Sequence, residues 1–295
     1  MEKISVNLNI ENSNKEFKEM KDKIFEDKEL IFSLKRSGVT DEILNKYLSL
    51  VYSYMEDKNY CKNCPGVKKC KKENPLLSSE IFFDGKYIEQ KYNPCKEVLK
   101  EMAVANNFII NDMNQDNIEA DIVKMDKTDA RAKLLGEFKK YLNGGQSKWL
   151  FINGSIHSGR SYLASAIANK CAKDGKSTIC YLDTPFRFKE LYDKSFNDLE
   201  SYSIMLDKIK TCDILILDDF GNEVKNDYVR DGILSLILSS RTDKKMLTIF
   251  TSDYSIDEIE VLYATSRAGE IRARQIKNLL KSNSIEVSLG NITIY

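Results

Sequence analysis

An apolar run, Trp149-Leu150-Phe151-Ile152, passes through Asn153 into Gly154-Ser155-Ile156-His157-Ser158-Gly159-Arg160-Ser161. The segment follows the pattern G-x-x-x-x-G-K-[ST] at every position but one, with Arg160 in place of the lysine. Such a loop turns backbone N–H groups toward phosphates, brings a cation to the outer ones and offers a hydroxyl to Mg²⁺. That chemistry requires a strand before the loop and a helix after it. Residues 162–170 are rich in alanine, carry apolar side chains at helical spacing and stop short of Gly175, which predicts the helix. Its free first-turn N–H groups and dipole would face an anion. Gly154, Ser155, Ile156, His157, Ser158, Gly159, Arg160 and Ser161 are therefore the expected phosphate-binding residues, although taken alone the segment also fits a plain glycine turn. His157, the sole histidine, reads as an exposed loop side chain, because no Ser or Cys partner marks it as a base.

A second run, Asp213-Ile214-Leu215-Ile216-Leu217-Asp218-Asp219, is apolar without interruption and ends in two carboxylates. This is the pattern of a strand covered on both faces, as in a parallel sheet between helices. Asp218 is expected to hold the hydration shell of Mg²⁺, an ion that takes only one or two protein carboxylates. Asp219 would orient or deprotonate the attacking water. A third strand, Met246 to Thr251, ends in Ser252-Asp253, and Ser177 to Leu182 supplies another. Between the acids and the third strand, Val229, Ile233, Leu236, Ile237 and Ser240 recur at helical spacing over Tyr228 to Arg241. Strands and helices thus alternate, which predicts an α/β fold with three layers and right-handed crossovers.

The amino-terminal part has a different chemistry. Four of the seven cysteines, Cys61, Cys64, Cys70 and Cys95, fall in one short window. With no export signal or transmembrane run, a cytoplasmic protein is expected, where persistent disulfides are rare. No histidine lies nearby, so the expected site is all-cysteine, with Zn²⁺ as the suited metal and free buried thiols as the alternative. Upstream, Ile43, Leu44, Tyr47, Leu48, Val51, Tyr54 and Met55 form a stripe that predicts an amphipathic helix after Thr40-Asp41. Lys68, Lys69, Lys71 and Lys72 around Cys70 read as a solvated loop. The polar stretch Asn106 to Asp129, with few large apolar residues after Ile110, reads as a connector. The expected division is 1–105 for the helical, cysteine-rich domain, 106–127 for a linker and 128–295 for the α/β domain. Equal numbers of basic and acidic side chains, 45 each, argue against a strongly basic nucleic-acid binder, but leave room for single strands in a groove.

Taken in order, Gly154 to Ser161, Leu215-Ile216-Leu217-Asp218-Asp219-Phe220-Gly221, Phe250-Thr251-Ser252-Asp253 and the late cluster Arg267, Arg272 and Arg274 resemble an AAA+ ATPase of the bacterial helicase-loader group. The cysteine cluster and Tyr92-Asn93-Pro94-Cys95 extend the likeness over nearly the whole chain. The resemblance implies a three-layer P-loop AAA+ core with a parallel sheet and no C-terminal lid, preceded by a small, mainly helical zinc-binding domain that grips the helicase. It implies ATP with Mg²⁺ as ligand, and self-assembly in which Arg274 acts as an arginine finger on a neighbouring subunit's γ-phosphate; Arg241 is the weaker candidate. Asp253 stands at the sensor position, where an asparagine is expected, and a carboxylate there can accept but not donate. Asp219 stands where many AAA+ proteins carry a longer glutamate. The expected function is loading of a hexameric replicative DNA helicase onto single-stranded DNA during replication initiation or restart, with ATP hydrolysis slow or absent and no membrane involved. Two alternatives stay open: a nucleotide-insensitive helicase adaptor, and a zinc-containing DNA-binding regulator.

Overall fold

A computed structural model describes residues 10–145 and 148–290. The chain divides into two compact units, Met1–Met102 and Ala103–Tyr295. Among the described residues no helix is long and apolar enough to cross a membrane.

The first unit contains helices α1 (Ile10–Glu26), α2 (Lys28–Arg36), α3 (Asp41–Lys46) and α4 (Leu48–Lys62). A 3₁₀ turn at Val67–Lys69 leads to the antiparallel strands β1 (Leu77–Phe83) and β2 (Ile88–Pro94), and α5 (Lys96–Asn106) follows, its last residues counted with the second unit. Ile24, Leu30, Leu34, Leu44, Leu48, Val51, Met55 and Ile88 form its core. The stripe read as one helix after Thr40 is two helices, broken at Tyr47, whose φ of −109° and ψ of 23° lie outside the helical range. Leu44, Leu48, Val51 and Met55 of the stripe are buried all the same, with Ile43, Tyr47 and Tyr54 half-buried against the same core. The hairpin has no counterpart in the sequence reading. Only Ile88 of β2 is buried, so the alternation that betrays a half-buried strand is nearly absent. Its turn is local chemistry: Asp84 Oδ1 accepts the N–H of Lys86 at 2.7 Å and of Tyr87 at 2.6 Å, and Gly85 takes φ 98°, a value glycine adopts freely.

In the second unit the strands are β3 (Phe108–Asn111), β4 (Trp149–Asn153), β5 (Ile179–Asp183), β6 (Ile214–Asp218), β7 (Leu247–Ser252) and β8 (Ser284–Ser288). They form one parallel sheet in the order β3-β5-β6-β7-β4-β8. Successive residues point to opposite faces: Ile214 and Ile216 enter one core cluster, Leu215 and Leu217 the other. Helices α6 (Asp129–Leu142) and α7 (Arg160–Asp174) cover the first face through Leu134, Phe138, Leu163 and Ile167. The second face is covered by α8 (Thr184–Asn197), α9 (Leu199–Thr211), α10 (Ser235–Asp243), α11 (Ile256–Tyr263) and α12 (Arg267–Asn283). Coverage on both sides is why the strands read as unbroken apolar runs.

Two expectations for this unit need correction. The stretch 106–127 is not a free connector, because its Phe108–Asn111 pairs with β5 as the sheet's edge strand and its Ala120 is buried. The short strand is masked in sequence by the Asn and Asp residues around it. The helix expected over Tyr228 to Arg241 opens with a π-helical segment at Val229–Leu234 before α10 begins. Its wider turn rotates the register, so Leu234 and Leu238 are buried while Leu236 faces solvent.

Candidate functional site

Strand order decides what meets at the carboxyl edge of the second unit's sheet. Because β7 lies between β4 and β6, the loop after β4, Asp253 after β7, and Asp218 and Asp219 at the end of β6 stand side by side. Gly154 cannot carry a side chain, since a Cβ there would lie 2.9 Å from Ser158 Oγ and 3.2 Å from the Gly290 carbonyl oxygen. Gly159 takes φ 85° at the start of α7. The N–H of Ser155 donates to the Gly290 oxygen at 3.3 Å. Those of Ile156, His157 and Gly159 make no hydrogen bond among the described residues, and they are the groups a phosphate would take up. Ser158 Oγ is buried without a partner.

Arg160, only 6% exposed, is folded back over its own loop. Its Nη1 donates to the Gly154 oxygen at 2.8 Å. Nη2 lies 2.6 Å from Asp253 Oδ1 and 4.0 Å from Asp219 Oδ1. Asp253 Oδ1 has no aligned donor, so the short contact is an ion pair rather than a directed hydrogen bond. The other carboxylate oxygen of Asp253 accepts Asn222 Nδ2 at 2.8 Å.

The acidic pair is held by groups from the two neighbouring strands, β5 and β7. Tyr181 on β5 donates its hydroxyl to Asp218 Oδ2 at 2.9 Å and accepts from Ser165 at 3.0 Å. Thr251 on β7 donates to Asp218 Oδ1 while its Oγ1 accepts the Asp219 N–H at 2.9 Å. Asp219 itself adopts φ 56°, a left-handed conformation that turns the chain sharply after the strand. Burial pushes the Asp219 carboxyl above its ordinary range, Asp218's charge adds to this, and Arg160 opposes it. Tyr181 is raised well above the usual phenol by burial and by the Asp218 charge. Ser161 lies at the foot of the same cluster, its carbonyl oxygen 3.5 Å from the Tyr181 hydroxyl oxygen. Sequence reasoning missed Tyr181, Thr251 and Asn222. For the first two a signal existed, a polar side chain near the carboxyl end of an apolar strand that neighbours the acidic one.

The arginines separate cleanly. Arg274 on α12 is exposed and pairs with Glu260, Nε to Oε1 at 3.2 Å, and it forms no hydrogen bond or ion pair with residues 154–161 among the described residues. Arg241 is fully buried and donates to Thr248 Oγ1 at 2.8 Å and to the carbonyls of Cys212 at 2.8 Å and Ile209 at 3.2 Å. A side chain so enclosed cannot reach a neighbouring subunit, and Arg241 is a structural residue. Arg230, not singled out in the sequence, is likewise buried and holds Asp227, Asp231 and the Tyr263 carbonyl.

In the first unit, Cys61, Cys64, Cys70 and Cys95 line one cavity of about 330 Å³. All seven cysteines are free. The expected tetrahedral zinc site is nevertheless not supported, because among the described residues no three His, Cys, Asp or Glu side chains are grouped to hold a metal. Two of the sulfurs have local company instead. Cys95 accepts the Val98 N–H at 3.4 Å, and Cys61 lies 3.6 Å from Lys72 Nζ. Lys72 is not the solvated loop residue expected: it is buried and pairs with Asp57 at 2.6 Å. Burial would raise the Asp57 pKa, but hydrogen bonds from Lys72 and Ser79 outweigh it and the net shift is downward.

No family profile matches the chain. Over 275 residues it is 27% identical to the replicative helicase loader DnaI of Bacillus subtilis, a likeness spanning 87% of this chain and 85% of that protein. A crystal structure of DnaI superposes with a TM-score of 0.56 at 26% identity, covering 62% of this chain and 97% of the other. The chromosomal replication initiator DnaA of Mesoplasma florum is 25% identical over 235 residues, 71% of this chain and 49% of that protein. The resemblance to the bacterial helicase-loader group read from the motifs is borne out: the second unit is an α/β domain with a six-stranded parallel sheet like that of the AAA+ helicase loaders.

Proposed function

We propose that the protein is a replicative helicase loader that binds a nucleoside triphosphate at the carboxyl edge of its sheet and brings a replicative DNA helicase to single-stranded DNA. The observation that carries this reading is the meeting of the loop Gly154–Ser161 with Asp218, Asp219 and Asp253, in a chain whose likeness to a helicase loader runs through both units. The free N–H groups of Ile156, His157 and Gly159 would take the phosphates. ATP with Mg²⁺ fits that cradle. Asp218, oriented by Tyr181 and Thr251, would hold the ion's water shell. Asp219, half-exposed beside Arg160, would orient the attacking water. Arg274 on its exposed helix face is the residue that a self-assembled neighbour would present, and releasing it from Glu260 would be part of assembly.

Hydrolysis by this arrangement is expected to be slow, because Arg160 is engaged and Asp253 lacks the donor an asparagine would supply. Assembly around a hexameric helicase therefore needs nucleotide as a ligand more than as a fuel. The four thiols of the first unit belong to the same reading, since an all-cysteine donor set takes Zn²⁺ and the sulfurs would have to draw together around it. Zinc content of protein purified without chelators, compared with Cys61→Ser, tests that part.

The decisive experiment mixes the protein with a hexameric replicative helicase and circular single-stranded DNA, with and without ATP, and scores helicase bound to the circle. ATP-dependent transfer is expected. Transfer that ignores nucleotide and persists in Gly159→Val would instead establish the nucleotide-insensitive adaptor, and sequence-specific duplex binding without helicase capture would establish a regulator.

A further inference from the structure

The two departures from the nucleotide-site pattern meet each other. Arg160 replaces the loop's lysine, Asp253 occupies the sensor position, and their charged groups are 2.6 Å apart. At 7% and 28% side-chain exposure the pair is poorly screened by solvent, unlike a surface bridge. The fork of Arg160 matters here, because one nitrogen holds the Gly154 carbonyl while the other meets the carboxylate. A lysine ammonium on an unforked stem lacks that geometry.

Building on the nucleotide-binding reading above, we propose that Asp253 is an internal stand-in for the terminal phosphate: its carboxylate holds the Arg160 guanidinium in the nucleotide-free loop and competes for it with the γ-phosphate of an incoming triphosphate. Three features carry the proposal. Asp253 follows β7, the strand between the loop strand and the acidic strand, so its carboxylate lies between the phosphate cradle and Asp219. Asn222 anchors it at 2.8 Å independently of Arg160, so the competitor stays in place when the guanidinium leaves. The contact from Arg160 Nη1 to the Gly154 oxygen at 2.8 Å tethers the released arginine to the loop. Triphosphate binding must then break an ion pair and bring a polyanion toward Asp253. A diphosphate, lacking the terminal group, is opposed less. Asp253 is in this sense a positioning residue for Arg160, and it sets the preference between triphosphate and diphosphate.

The test is equilibrium binding of a non-hydrolysable ATP analogue and of ADP, each with Mg²⁺, to the full chain and to Asp253→Asn and Asp253→Ala, with thermal melting to verify folding. Both variants are expected to bind the triphosphate about tenfold more tightly than wild type, the order of one charge-assisted contact, and ADP with little change. The ratio of the two affinities therefore rises about tenfold as well. An unchanged or weakened triphosphate affinity in both folded variants, or equal tightening for both nucleotides, overturns the competition. Wild-type binding with an unmoved ratio removes this proposal alone. Absence of nucleotide binding in all three proteins removes the nucleotide reading along with it.

Discussion

The edge of the parallel sheet and the cysteine cavity of the first unit are both clusters of ligand-type side chains, but they are held by different means. At the sheet, Asp218, Thr251 and the loop after Asn153 stand at the ends of strands whose ladders fix their spacing, and hydrogen bonds among Tyr181, Thr251, Asp218 and Asp219 complete the orientation. Around the cavity, Cys61 ends a helix, Cys64 and Cys70 flank a 3₁₀ turn, and Cys95 follows a strand. No backbone ladder joins all four, and Cys61 and Cys95 each settle for a local neighbour. A site built on strand ends is organised before its ligand arrives; one strung along turns needs the ligand to gather it.

Predictions that break or sharpen this contrast can be ordered by size. Arg241 ties together the starts of β6 and β7 through the carbonyls of Cys212, Asp213 and Leu247, and Arg241→Ala should destabilise the second unit by about 3–5 kcal/mol, because it leaves several buried carbonyls without a donor; denaturant unfolding measures it. If the loss is below about 1 kcal/mol, the sheet edge is less fixed than argued. Next is Glu223, 2% exposed, just beyond the acidic pair, whose carboxyl burial pushes up to about 7. Its folded pKa lies above its unfolded one, so its contribution favours the folded state below the unfolded value and is lost as pH rises through about 7. The loss amounts to about 3 kcal/mol between about pH 5 and about pH 8. Glu223→Gln should flatten that difference in paired denaturation curves.

Replacing Gly159 by valine puts a branched residue at φ 85° and should weaken nucleotide binding about 100-fold, with circular dichroism unchanged. Thr251→Val keeps shape but removes the hydroxyl shared by Asp218 and Asp219, for an expected loss of about 1–2 kcal/mol in melting experiments. The smallest effect belongs to the other unit. Cys64 is exposed, and Cys64→Ser should change metal-free stability by less than about 0.5 kcal/mol. A large loss in chelator-treated protein would mean the cavity is a prebuilt site, and the contrast would fail.

How far these features could be read in advance follows the same physics. The runs Trp149–Ile152 and Ile214–Leu217 announced strands because both faces of the sheet are covered. The glycine spacing announced the loop because only certain residues accept its turns. Edge strand β3 and the hairpin β1–β2 escaped notice for the opposite reason: both bury few residues, and β3 is also short and pairs with a strand distant in the chain. The fate of the arginines was illegible too. Arg241 and Arg274 have the same charge and both lie in helices, and burial alone separates a structural group from an exposed one.

What residue order settled was local: which segments are apolar on both faces, where glycine must stand, and which acids end a strand, all consequences of side-chain periodicity and backbone sterics. What folding in space added was the adjacency of groups far apart along the chain. Arg160 found Asp253, Tyr181 found Asp218, and the cysteines shared a cavity without converging, because strand order and burial, rather than spacing along the chain, determine which charges must neutralise one another.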